Sequence, residues 1–398
     1  MTSTAEPMRE WSGPAILSFG FRPFFLMAGL WAALAMILWV MLLSGHAVLP
    51  TAFDPVSWHA HEFLFGYLGA VMAGFLLTAV PNWTGSLPVT GWPLGGLAVL
   101  WLLGRIAVAI SAHLTPLSVA LVDLAMPVVL VAVMGREIIV GKNWRNLPVM
   151  GLLGLYIAAN ALFHVEAASG DYAAGGTGAR LGLAVAVMLI ALVGGRIVPS
   201  FTRNWLVRRN DATLPTPPMQ QFDKLALVVL AAALVLWIVA PLLRATGLVL
   251  LLAGALHLVR LARWAGHRCT AEPLVWILHV GYAFIPLGAL AIAAAILMPV
   301  GPSTATAQHL WTAGAIGVMT LAVMTRATLG HTGQALVAAP GTLVLYLLAI
   351  LAVLARAAAG VSAVNVEWMY DLSGLSWVGA FGGFAVLYGP LLWRRRPG

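Results

Sequence analysis

Cysteine is all but absent from this chain: Cys269 is the only one in 398 residues. A single thiol excludes an intrachain disulfide framework and any thiolate cluster within one subunit. Charge is scarce too. Only 9% of the residues are Asp, Glu, Lys or Arg, against about 25% in a soluble domain. The Walker A, GxSxG and HExxH patterns are missing, so the sequence offers no phosphate loop, nucleophile elbow or zincin helix. The first twenty residues carry Glu6, Arg9 and Glu10 and lack the apolar core and small-residue cleavage site of a secretory leader. The first spanning helix is therefore expected to direct insertion itself.

What fills the chain instead is apolar. Hydrophobic residues make up 61%, and the mean hydropathy is +0.95. Runs of about twenty apolar residues cross a bilayer as helices. Twelve such runs stand out, at 22–44, 59–80, 93–113, 116–135, 146–168, 179–199, 222–243, 246–265, 273–298, 308–330, 339–359 and 374–393. The expected fold is an all-α polytopic membrane bundle, one membrane domain over 1–398. A polar connector at 201–221 divides it into six spans within 1–200 and six within 222–398. Turn chemistry separates neighbouring spans at Pro81, at the glycines near Gly175 and at Val300-Gly-Pro.

The formal charge is +8 and the pI about 10.2. In a soluble protein this would suggest nucleic acid; here the placement of the cations accounts for it. With both termini cytoplasmic, seventeen of the twenty-one Lys and Arg fall on the inner side, among them Arg136, Arg203, Arg208, Arg209, Arg263, Arg268 and Arg394 to Arg396. Arg180, Arg244 and Arg356 fall outside, and Arg105 sits mid-span. That asymmetry is the positive-inside pattern, so no nucleic-acid partner is expected.

Ten histidines remain to be explained. The segment Trp58-His59-Ala60-His61-Glu62 opens the second run, where ionisable groups are costly unless they face a cavity, a partner or a metal. On the predicted topology His59, His61, His164 and His309 lie towards the outer face, and His279 and His331 towards the inner face. His309 and His331 are 22 residues apart, about 33 Å on one helix, so they cannot share a metal on an unbroken span. His59 and His61, at i and i+2, point about 200° apart on a regular helix. Glu62, at i+3 from His59, is expected to share that imidazole's face, as an orienting partner, a ligand or a proton carrier. His46, His113, His257 and His267 read as interfacial hydrogen-bonding residues. Without thiolates, imidazole sites favour haem iron, copper or zinc. Arg196 and Arg326 are candidates for pairing with haem propionates. Asp123, deep in the fourth span, reads equally as part of a proton path or as an interhelical hydrogen bond.

Several blocks carry a resemblance to a known family. They are Gly20-Phe21-Arg22-Pro23-Phe24-Phe25, Trp58 to Glu62, Ala73 to Gly85, Gly194-Gly195-Arg196 to Thr202, Leu278-His279-Val280-Gly281-Tyr282, and Met324-Thr325-Arg326 to Gly333. Together they resemble the NnrS family. That resemblance implies a twelve-span protein of the bacterial inner membrane, embedded in membrane lipid. It implies haem b and copper, and a role in nitric oxide metabolism and protection from nitrosative stress. The leading expectation is binding of nitric oxide and its reduction to nitrous oxide, as in a nitric oxide reductase-like oxidoreductase. Electrons would come from quinol or another donor. On this expectation His59, His61, His164 and His309 supply an outer metal centre, and Glu62 delivers protons. His279 and His331 hold an inner haem, with Arg196 or Arg326 near its propionates. The competing readings are a non-catalytic nitric oxide sensor and a transporter of haem, copper or a metal–nitrosyl species, which six plus six spans would suit.

Overall fold

The computed structural model describes residues 11–395, apart from 47, 86, 299–300, 363 and 365. Glu6, Arg9, Glu10, Val300 and Arg396 lie outside the described residues. The protein is 80% helical with no strands among those residues. Twelve helices are long and apolar enough to cross a membrane. They are α1 (Phe21–Leu43), α2 (Pro55–Pro81), α3 (Trp92–Ala109), α4 (Pro116–Val140), α5 (Trp144–Ala168), α6 (Thr177–Arg208), α7 (Gln221–Val239), α8 (Arg244–Arg268), α9 (Pro273–Leu297), α10 (Thr304–Thr332), α11 (Pro340–Ala359) and α12 (Val366–Trp393). A spanning segment must satisfy every backbone group internally, which is why the apolar runs become helices.

The ends differ from the hydropathy boundaries because helices stop at caps, not at the edge of the apolar run. α2 begins four residues early, with Pro55 at its first position and Asp54 Oδ1 accepting from the Val56 and Ser57 amides at 3.0 and 2.9 Å. His59 and His61 therefore lie inside a helix and not at its mouth. α6 runs past Pro199 to Arg208, since one proline removes one helical hydrogen bond and leaves the rest.

Three helices contain a widened π segment: Glu62–Tyr67 in α2, Ile190–Gly194 in α6 and Leu310–Val318 in α10. These are also the most enclosed helices. The buried share of their apolar stretches is 78%, 61% and 67%, against 22–50% elsewhere. Widened turns cluster at functional sites, which directs attention to these three.

The chain divides into two compact units. The first holds everything up to Gly182, with Ala327–Gln334 and the chain from Phe381 onward. Within it the Arg22 guanidinium is buried and donates to the Leu391, Leu392 and Arg394 carbonyls at 3.3, 2.9 and 2.7 Å. A cation on the last carbonyls of α12 offsets the negative end of the helix dipole, which explains the arginine of the Gly20–Phe25 block. The second unit holds Leu183–Arg326 and Ala335–Ala380.

Candidate metal centre

In the first unit α3 and α4 form a helical hairpin, and residues equidistant from its turn lie at one depth. Arg105 and Asp123 are such a pair, each nine residues from Leu114. Arg105 Nη2 is paired with Asp123 Oδ1, and Arg105 Nη1 lies 2.5 Å from Glu62 Oε1. Arg105, Glu62 and Asp123 are 3%, 0% and 4% exposed. Asn160 and His164, one turn apart on α5, both reach the other Asp123 oxygen. Asn160 Nδ2 donates to Oδ2 at 2.8 Å, and His164 Nε2 lies 3.0 Å from it. His61 Nε2 completes the group, 3.2 Å from Asp123 Oδ2 and 3.0 Å from Asn160 Oδ1.

His61, Asp123 and His164 thus converge, each buried, with one donor atom apiece within 4.8 Å of the others; among the described residues this is the group that could hold a metal ion. His61 Nδ1 faces Glu62 Oε1 at 3.1 Å. A carboxylate there fixes the ring and leaves Nε2 to face the centre, as in carboxylate–histidine–metal triads. Phe53, Phe65 and Phe163 surround the His61 ring, each with centroids 5.4 Å away.

Two backbone irregularities build this site. The π segment of α2 begins at Glu62, and two side chains take carbonyls along it: Trp101 Nε1 donates to Gly66 O at 2.9 Å and Tyr156 Oη to Leu64 O at 2.5 Å. In α4, Pro127 has no N–H to give the carbonyl of Asp123 four residues earlier.

The helix is regular up to Glu62, whose amide bonds to the Trp58 and His59 carbonyls, and the Glu62 carboxylate meets His61 and Arg105. His59 stacks on Trp39 at 4.4 Å and 22°, and lies 4.8 Å from the Phe63 ring. The two imidazoles diverge as their spacing predicts, and only His61 belongs to the convergent group.

The other candidate residues have different surroundings. His309 lies in the second unit, with Nδ1 2.6 Å from the Ala305 carbonyl; Nδ1 must be the protonated nitrogen, leaving Nε2 as its ligand atom. His279 Nε2 lies 2.8 Å from Thr202 Oγ1. His331, in the first unit, is flanked by the rings of Phe21 and Phe19 at 5.4 and 5.6 Å. The Arg326 guanidinium stacks on Phe201 at 4.1 Å. Arg196 lies two residues past the end of the α6 π segment.

His257 departs from its interfacial expectation: it is 0% exposed. Its Nδ1 lies 2.9 Å from Tyr282 Oη and its Nε2 3.2 Å from Ala226 O. Around it is a second buried cluster, wholly within the second unit. Arg260 donates through Nε to Asp223 Oδ1 at 2.9 Å, and through Nη1 to Tyr282 Oη at 2.7 Å and Ala191 O at 3.0 Å. Its Arg-rich neighbourhood had hidden His257, because a histidine near several arginines looks like part of a cytoplasmic rim.

Charge distinguishes the first cluster. With neutral imidazoles, Glu62, Asp123 and Arg105 sum to minus one. A buried uncompensated charge is costly, so the group accommodates one further positive charge, a proton or a metal ion.

No curated protein matches the chain. The NnrS family, described as NnrS protein, matches residues 15–396, nearly the whole length. A multi-pass helical membrane protein with a buried His–Asp–His group, matched over that span, belongs to the NnrS family, which is related to nitric oxide and associated with metal or haem binding.

Proposed function

We propose that this protein uses copper and haem b to bind nitric oxide and reduce it to nitrous oxide in a bacterial inner membrane, with both termini in the cytoplasm. The observation that carries the proposal is the buried His61–Asp123–His164 group with its surplus negative charge. Its donors suit copper, which favours imidazole nitrogen with oxygen. Its spacing suits an ion as well. Donors bonded to one metal at about 2.0–2.1 Å stand roughly 3 Å apart, and here the contacts to Asp123 Oδ2 are 3.0 and 3.2 Å. For haem, the residues of matching chemistry are His279 and His331, with Arg196 and Arg326 for its carboxylates.

The reaction is 2 NO + 2 e⁻ + 2 H⁺ → N₂O + H₂O, with quinol or another reductant supplying the electrons. Copper and haem, when bound, would supply electron exchange and bring two substrate molecules together. The chain's own residues do the rest. Glu62 Oε1 orients His61, held in turn by Arg105 Nη1. Glu62 Oε2 is buried without a partner and is the atom that takes up and hands on a proton. The phenylalanines around His61 exclude bulk water. Nitric oxide is neutral and dissolves in lipid, so a site between spans meets it directly.

The test is anaerobic turnover of purified protein with reductant and nitric oxide, read as nitrous oxide by gas chromatography. Uptake without nitrous oxide release would reduce the function to binding. Metal analysis with optical and EPR spectra tests the cofactors. His61→Ala should lose copper, whereas His279→Ala or His331→Ala should lose a haem signal with copper retained. Copper loss in the latter two would reverse the assignment.

A further inference from the structure

A small internal cavity lies beside the metal group. Asp123 and Asn160 line it, but neither imidazole does; the rest of its wall includes Phe65, Gly69, Met126 and Pro127. Its volume is about 10 Å³, room for the centre of one water-sized molecule. Two local features leave this space. Pro127 opens the α4 backbone at Asp123, and Gly69 withholds a side chain. A Cβ on Gly69 would stand 3.7 Å from Tyr156 Oη and 4.0 Å from Met126 Cε, in ordinary contact with both, so a methyl group fits there without displacing either. Pro127 is only half-buried, and the next residues, Val128 and Val129, are 48% and 39% exposed. One layer of α4 therefore separates the cavity from the face that lipid would cover.

We propose that this cavity is a docking chamber for one neutral diatomic gas molecule, nitric oxide on the reading above, which enters past Pro127 and is held against Asp123. The inference rests on that reading for the identity of the gas. Size admits no more than one small molecule close to water in width. Burial sorts what remains: an anionic nitrogen oxide would have to give up water to enter the interior of the helices, a cost the neutral one avoids. Most of the polar groups are already engaged, the Asp123 carboxylate with Arg105 and His164, the Asn160 amide with Asp123 and His61, and the Tyr156 hydroxyl with Leu64 O. A water would have to use Arg105 Nε, buried without a partner, and the Asp123 main-chain carbonyl. An ordered water is thus the rival occupant.

Gly69→Ala separates the two. Alanine is the better helix former and its methyl meets only ordinary contacts, so the variant should fold with unchanged metal content. In crystals of the full chain pressurised with krypton, gas density is expected between Gly69 and Met126 in the wild type and absent in Gly69→Ala. Met126→Ala enlarges the chamber and should raise krypton occupancy, which keeps the test available if the first variant fails to accumulate. In solution, kcat/KM for nitric oxide should fall about tenfold in Gly69→Ala, the worth of a methyl group in a small pocket, mainly through KM. A water that krypton does not displace, or an unaltered kcat/KM, overturns the proposal while leaving nitrous oxide formation intact. Krypton in the chamber of a wild-type protein that forms no nitrous oxide has the opposite meaning: the chamber stands and the reaction falls.

Discussion

Arg105 in the first unit and Arg260 in the second are built from similar parts. Each is enclosed within spanning helices and pairs with an aspartate, Asp123 or Asp223. Each has a tyrosine and a histidine in its cluster, and each guanidinium packs over a glycine, Gly66 or Gly195, where an added Cβ would collide with it. In each cluster a proline sits four residues after a member, Pro127 after Asp123 and Pro286 after Tyr282. The charge count separates them. Around Arg260 one cation meets one carboxylate. Asp223 Oδ2 also accepts from the Gln220 amide at 3.0 Å, and both His257 nitrogens are engaged; Arg260 Nη2 is the cluster's buried atom without a partner. Around Arg105 one cation meets two carboxylates, and two imidazoles converge on the surplus. Similar pieces make a charge-balanced cluster in one place and a group that could hold a cation in the other, and the second carboxylate, Glu62, makes the difference.

The largest expected effect breaks both clusters and asks whether they recover alike. Arg105→Met or Arg260→Met should each cost about 3–5 kcal/mol, because removing one partner strands a buried charge. Replacing both partners with apolar residues often restores stability. Thermal unfolding in detergent should therefore show Asp223→Leu/Arg260→Met regaining most of the loss with copper content unchanged. Arg105→Met/Asp123→Leu should stay free of copper whatever its stability. If the Arg260 double variant loses copper instead, the two clusters do not differ in role.

Glu62→Gln tests the remainder directly. The amide oxygen still accepts from His61 Nδ1, but the surplus charge is gone. Copper affinity should drop about 10–100-fold, as when an orienting partner of a metal-bound histidine is altered, with the fold intact. Competition with a chelator would measure it, and unchanged affinity would mean that Glu62 serves Arg105 alone.

Much of this was legible before any coordinates. Twelve apolar runs with few charges specify twelve helices because lipid leaves the backbone no other option. The divergence of His59 and His61 follows from 100° per residue. The role of Asp123 was half visible. Arg105 and Asp123 are the two charges deepest within their predicted spans, and a hairpin about Leu114 brings them level, so the pair could have been read from spacing alone. Asn160 and Tyr156 could not, since a polar residue in an apolar run does not announce its partner. The π segment that starts at Glu62 was hidden for a different reason: no residue pattern marks it. His257 was lost to its neighbours, being one turn from Arg260 in a stretch that reads as a basic rim.

A smaller effect sharpens the contrast within α2. His59→Phe keeps an aromatic ring against Trp39 and should leave copper content near wild type, whereas His61→Phe should abolish copper binding at this centre. Equal losses in the two variants would mean that the imidazoles act on one ion after all.

The smallest effect lies where the last residue of α8, Arg268, meets Asp211 in the connector between α6 and α7. Arg268 grips Asp211 with Nη2 at 2.7 and 2.8 Å and Nε at 3.2 Å, and this guanidinium holds the Asp211 carboxyl below the ordinary aspartate range. The unfolded chain therefore protonates Asp211 first as pH falls. The clamp contributes in full above about pH 4, the ordinary value, and its contribution is lost as pH drops through the lowered folded value. The pair is exposed, so the contribution is small and weakened by salt. The wild type should unfold slightly later than Asp211→Asn from pH 7 down to 5, and the gap should close in stronger acid. The Arg260 cluster, sealed from water and salt, should keep its contribution across the same range of ionic strength. A gap for Asp211→Asn that ignores added salt would place this clamp with the buried clusters and not with the surface.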